Sequence, residues 1–309
     1  MRWLLRAAVA VGATGLASAT YQATAEAIDR RRYPPPGRMV DVGGRSLHLI
    51  DLGTGHPAVV IIQALGGNVL DFLDFYRGLA TEMRVCVYDR AGLGWSDPPA
   101  LGRRTHDDMA RELHGLMAAA GIAPPYVLVG HSSGGITARR FAVRYPGDVA
   151  GMVLIDSSHE QQVPRYIEVE GRWDNPPITT VRRVLKSAAY PLGLRRLLSG
   201  KASRTAPAGE AAAARAMELT ARHRRANIRE KLLSARSHGS PPGLGALPLT
   251  VLTAADRDPT WNAMQAELAA LSMVATHTVA SYGGHFLQAD NPRLVADAIR
   301  DMLDRVRDS

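Results

Sequence analysis

Residues 126–135 read YVLVGHSSGG, and this stretch decides the fold. The apolar, β-prone residues at its start have the pattern of a strand buried on both faces. Gly130-His131-Ser132-Ser133-Gly134 then makes a tight G-x-S-x-G turn, and a helix is expected from about Gly135 onward. A serine on such a strand-to-helix turn is held in a strained backbone conformation, with its Oγ raised above the sheet. Glycines flank it because side chains there would meet the neighbouring strand and helix. The helix start beneath offers unpaired N–H groups and a positive dipole end, both suited to developing negative charge. Ser132 is therefore the candidate nucleophile.

Outward from this turn, short apolar runs alternate with helical patterns. The runs lie at residues 58–62, 85–88, 126–129, 151–155 and 249–252, and the helical patterns at 105–120, 136–145 and 261–271. A hairpin is expected from residues 39–42 and 47–52, joined at Gly43-Gly44. Strand alternating with helix implies right-handed crossovers and a doubly wound α/β architecture around a mostly parallel sheet. Residues 159–240 break the rhythm. They are rich in Arg, Ala and Leu, carry prolines at 176, 177 and 191, and contain no strand run. This stretch is expected to be a helical insertion after the sixth strand. Leaving the C-terminal edge of the sheet, where such folds bind ligands, it would form a lid. The expected organisation is an N-terminal segment and linker (1–36), a core (37–158 and 241–309) and the lid (159–240).

With those motifs in place, the chain resembles the α/β-hydrolase superfamily. The serine turn matches that family's nucleophile elbow. Residues 87–97, VYDRAGLGWSD, are similar to its loop after the fourth strand, and residues 281–292, SYGGHFLQADNP, to the histidine loop after its last strand. The resemblance covers most of the chain outside the N-terminus and the lid. It implies an eight-stranded sheet, catalysis without cofactor or metal, and an esterase-like serine hydrolase. Serine Oγ is a poor nucleophile until a base takes its proton. The resemblance offers His285, beside Gly283-Gly284, as that base. His131 is expected to line the pocket or pack below it.

The acid that orients the histidine has two positions in this family. One follows the seventh strand, where Asp256 and Asp258 stand in LTVLTAADRDPT; the family's usual register lands between them, on Arg257. The other is the end of the sixth strand, where Asp156 in GMVLIDSS fits without adjustment. Asp156 stands first and Asp258 next, and the choice stays open. By analogy the oxyanion donors are the backbone N–H groups of Leu65 and Ser133. Gln63-Ala64 replaces the family's usual His-Gly, with Gln63 either touching substrate or supporting the loop.

Composition narrows the remaining classes. Of 309 residues, 46% are hydrophobic and 21% charged, which is globular rather than disordered or fibrous. The single cysteine, Cys86, excludes an internal disulfide framework and multi-cysteine metal sites, and is expected to be a buried packing residue. The net charge of +8 is concentrated in residues 160–236, which hold 16 Lys and Arg against 7 Asp and Glu. No nucleic-acid-binding signature accompanies it. Arg2 and Arg6 precede an uncharged stretch over residues 7–25, with Ala17-Ser18-Ala19 as a possible cleavage site, closed by Arg30-Arg31-Arg32 and Pro34-Pro35-Pro36. This pattern predicts a signal or membrane-anchor segment, and so an exported or membrane-anchored protein, with an amphipathic helix of a cytoplasmic protein as the alternative.

The expected reaction is cleavage of a carboxylic ester or related acyl bond in a small, apolar substrate. Val184, Leu185, Leu192, Leu194, Leu197, Leu198, Leu232 and Leu233 of the insertion would suit an apolar group or pack the lid onto the core. Carbon–carbon bond hydrolysis, perhydrolase or acyltransferase chemistry are alternatives on the same scaffold, as is a catalytically weak binding or signalling role.

Overall fold

The computed structural model of the chain describes residues 2–100, 102, 104–170, 196, 205–234 and 239–308. The prolines at 176, 177 and 191 and the apolar residues at 184, 185, 192, 194, 197 and 198 lie outside them.

The chain begins with helix α1 (Arg2–Arg32), then strands β1 (Arg38–Asp41), β2 (Ser46–Leu52) and β3 (Ala58–Ile62). Helix α2 (Leu73–Leu79), β4 (Val85–Tyr88), α3 (His106–Ala119), β5 (Tyr126–His131), α4 (Ser133–Arg144) and β6 (Val149–Ile155) follow. The insertion contributes α5 (Gln162–Glu170), α6 (Ala211–Glu218) and α7 (Ala221–Ser234). The core resumes with β7 (Leu249–Thr253), α8 (Pro259–Ala269), β8 (Ala275–Val279), α9 (Leu287–Asp290) and α10 (Pro292–Arg307).

The strands form one eight-stranded sheet in the order β1-β2-β4-β3-β5-β6-β7-β8. The β1–β2 hairpin is antiparallel and β2 joins β4 antiparallel; every other pair is parallel. Successive strand residues point to opposite faces, so each central strand feeds two cores. Val59, Ile61, Val127, Val129 and Val153 pack with Val295, Ile299 and Met302 of α10 on one face. Val60, Ile62, Leu128 and Leu154 pack with Leu113, Leu116, Phe141 and Leu268 of α3, α4 and α8 on the other. Runs apolar at every position, such as AVVII in β3, follow from burial on both faces. Cys86 is one of these packing residues, and burial pushes its thiol up to about 12.

The strand β8 has no apolar run. It is the edge strand, its residues 276–279 are exposed, and its sequence ATHTV carries no burial signal. Helix α4 starts at Ser133 rather than near Gly135, because Gly134 and Gly135 are weak helix formers that mask the true start.

The described part of the insertion is helical. It touches the loops at the C-terminal ends of the strands: Phe72 N–H donates to Thr205 O at 2.9 Å, and Gly66 N–H to the Glu230 carboxylate at 3.1 Å. Helix α1 docks on the same helices. Buried Gln22 donates to Leu219 O at 2.8 Å, and Ala221 N–H donates to the Glu26 carboxylate at 2.8 Å. Among the described residues, no helix is long and apolar enough to cross a membrane.

Candidate active site

Three loops at one edge of the sheet bring Ser132, His285 and Asp156 together. Ser132 sits between the last residue of β5 and the first of α4 with φ 53° and ψ −124°, a left-handed conformation that non-glycine residues rarely adopt. Strain of this kind costs about 1–3 kcal/mol and persists only where the surroundings over-determine it. Here Ser132 N–H is tied to Ile155 O at 3.1 Å. The helix behind it runs so close to β3 that a Cβ on Gly134 would stand 2.1 Å from the carbonyl oxygen of Ile62. Gly134→Ala should therefore cost on the order of 3 kcal/mol by overpacking. A lowered urea midpoint would show it, and an unchanged midpoint would contradict the close approach.

His285 lies in the loop between β8 and α9. Its Nε2 is 3.0 Å from Ser132 Oγ and its Nδ1 is 2.5 Å from Asp156 Oδ2. Nδ1–H donates to the carboxylate, which leaves Nε2 to accept from the serine hydroxyl, the tautomer a general base needs. Asp156 follows β6 with φ 41° and is fully buried. Its Oδ1 accepts from Ala254 N–H at 3.1 Å and from Trp261 Nε1–H at 2.9 Å. Burial pushes the carboxyl upward, but the hydrogen bonds from His285 and Arg257 outweigh this and hold it down at about 2.

The structure thus pairs His285 with Asp156 and takes the other two aspartates elsewhere. Asp258 is the N-cap of α8, accepting from Trp261 N–H at 2.9 Å and from the Tyr166 hydroxyl at 2.7 Å. Asp256 sits in the β7–α8 loop with φ 54°. Among the described residues, Asp156 is the carboxylate hydrogen-bonded to His285.

Arg257 is the residue that sequence reasoning missed, although the family register had landed on it. Its guanidinium grips Asp156, with Nε donating to Oδ1 at 3.2 Å and Nη2 to Oδ2, and Nη2 stands 2.8 Å from His285 Nδ1. Where the family usually has an acid, this chain has a base that reaches back onto the carboxylate of β6. Because the folded carboxyl lies below its ordinary 3.8, the stability it adds is complete above that value and is lost as pH falls toward 2. Arg257→Gln should consequently destabilise most at neutral pH, with a cost that shrinks below about pH 4. Urea midpoints for both proteins at several pH values check this; a cost independent of pH would contradict it.

His131 is buried beside the site. Its Nε2–H donates to the backbone oxygen of His285 at 2.8 Å, and burial lowers it to about 3, so it is a neutral support for the histidine loop. Phe72 and Phe286 pack around it with ring centroids 6.3 and 5.7 Å away, and the Phe286 ring also lies 5.4 Å from that of His285. Ser133 is the first residue of α4, and Leu65 lies in the loop after β3. Gln63 supports that loop, donating from Nε2 to Asn68 O at 2.6 Å. Among the described residues, no group of three or more His, Cys, Asp or Glu side chains is arranged to hold a metal.

Residues 57–193 match the model of the α/β-hydrolase fold family. A probable transporter of Hormonema carpetanum, efuK, is 36% identical over 135 residues, covering 38% of this chain and 19% of that protein. The matches to the first curated relatives span 19–40% of their length. A thermophilic esterase from Thermogutta terrifontis superposes with a TM-score of 0.62 at 24% identity, over 87% of this chain and 98% of that one. A bacterial membrane phospholipase A does so with a TM-score of 0.63 at 21% identity, over 99% and 98%. At these identities the likeness shows the fold alone. With the match over residues 57–193 and the sheet order, it shows that the chain has the α/β-hydrolase fold.

Proposed function

We propose that the chain is a serine hydrolase that cleaves a carboxylic ester or related acyl bond through an acyl-serine intermediate. The observation that carries this is the run of hydrogen bonds from Ser132 Oγ through His285 to buried Asp156. His285 Nε2 takes the hydroxyl proton as Oγ adds to the carbonyl carbon, then returns it to the leaving alcohol. Asp156 holds the tautomer and stabilises the imidazolium. Water, deprotonated by the same nitrogen, releases the acid. Leu65 N–H and Ser133 N–H are the donors proposed for the oxyanion, each worth about 3 kcal/mol in the transition state.

The Phe72–Phe286 ring pair, packed beside His131 and His285, favours an apolar acyl or alkyl group. The insertion, whose helix α7 meets the loop after β3, serves as the lid. Helix α1 is proposed to hold the protein at a membrane, a reading supported by the positively charged start of the sequence and by the fold likeness to a membrane phospholipase A along nearly the whole chain. Fractionation of the full chain tests it, and recovery wholly in the soluble fraction would refute it.

A panel of esters of graded acyl length, with Ser132→Ala as control, tests the reaction. Turnover of apolar esters that vanishes in the control is expected; no turnover of any ester by folded protein would overturn the ester assignment.

A further inference from the structure

The reaction above makes no use of Glu230, yet this residue joins the insertion to the catalytic loops. It lies on α7, is 5% exposed, and crosses the boundary between insertion and core. Its Oε1 accepts from Arg90 Nε at 2.8 Å, and its Oε2 accepts from Arg90 Nη2 at 2.8 Å and from Gly66 N–H at 3.1 Å. Two further hydrogens of the Arg90 fork go to the loop after β3. Nη1 donates to Gln63 O and Nη2 to Ala64 O, both at 2.7 Å. Two-point pairing of this kind fixes orientation as well as distance.

A trans peptide is planar, with its carbonyl and the following N–H on opposite sides. Pinning Ala64 C=O on Arg90 therefore sets the direction of Leu65 N–H, the proposed oxyanion donor. The contact between helix and loop is close. Gly66, at φ 72°, has no room for a Cβ, which would stand 2.2 Å from Asn227 Nδ2 of α7.

We propose that Glu230 is a positioning residue: through Arg90 it aims the Ala64–Leu65 peptide at the oxyanion, so that seating of α7 is a condition for fast acyl transfer. This rests on the acyl-transfer reading above. A misplacement of about 1 Å in such a group costs on the order of 100-fold. A purely structural ion pair would instead lower thermal stability and leave the rate constant of the folded protein alone.

The test uses the full chain with Glu230→Ala, Glu230→Gln and Arg90→Lys. Melting temperature, kcat and KM on a short-chain activated ester, and inhibition by a trifluoromethyl ketone, whose hemiketal oxygen occupies the oxyanion position, are measured for each. For Glu230→Ala, kcat should fall on the order of 100-fold with KM nearly unchanged, and ketone affinity should fall by a similar factor. Glu230→Gln, which keeps one acceptor for Arg90, should lie between it and wild type. Where the alanine variant does not fold, the glutamine variant and Arg90→Lys carry the test. Folded variants with wild-type kcat and ketone affinity overturn the proposal. If wild type turns over and Ser132→Ala does not, that result leaves the hydrolase reading standing; equal turnover by Ser132→Ala removes both.

Discussion

Ser132→Ala should reduce kcat by about six orders of magnitude while the fold is retained. The size follows from what the side chain does. Without the hydroxyl there is no acyl intermediate, and His285 and Asp156 have nothing to activate. Because these groups act as a unit, removing the nucleophile alone costs nearly as much as removing all of them. Whatever turnover remains comes from binding and from the oxyanion donors, acting on water directly. The variant also relieves no steric demand, since Ala keeps the Cβ and the positive φ at position 132 remains. Its stability should stay close to wild type. A variant that retains a tenth of wild-type turnover would place the nucleophile elsewhere.

Asp156→Asn has the second-largest expected effect, about 10⁴-fold in kcat. An amide nitrogen facing His285 Nδ1 favours the tautomer with the proton on Nε2, which cannot accept from the Ser132 hydroxyl. The substitution also replaces the anion that Arg257, Trp261 and Ala254 N–H converge upon, so a loss of stability should accompany the loss of rate. Asp258→Asn is the matched control. That side chain caps α8, and asparagine caps as well as aspartate, so turnover and stability should stay near wild type. Parallel steady-state kinetics on the two variants decide the matter. Near-normal turnover in Asp156→Asn, or collapse in Asp258→Asn, would reverse the assignment.

The features legible in sequence were those written in local pattern. The strand runs, the Gly43-Gly44 hairpin, the elbow and the His285 loop each depend on a few adjacent residues, and each appears where its pattern stands. Strand β8 was hidden because an edge strand needs no apolar alternation when little of it is buried. The partner of His285 could not be fixed because the choice depends on how two loops, 129 residues apart in one case and 27 in the other, approach in space. Arg257 shows the limit most clearly. Its charge is opposite to that expected in its register, and only the fold shows that it grips Asp156 from there. The Glu230–Arg90 pair, whose partners stand 140 positions apart, leaves no local trace at all.

The most direct measurement is mass spectrometry of the full chain after reaction with a fluorophosphonate. A single adduct on the peptide containing Ser132, formed by wild type and absent from Ser132→Ala, is the predicted result. Folded wild-type protein that takes up no phosphonate, or takes it up on another residue, would contradict the central claim that an activated hydroxyl at position 132 does the chemistry.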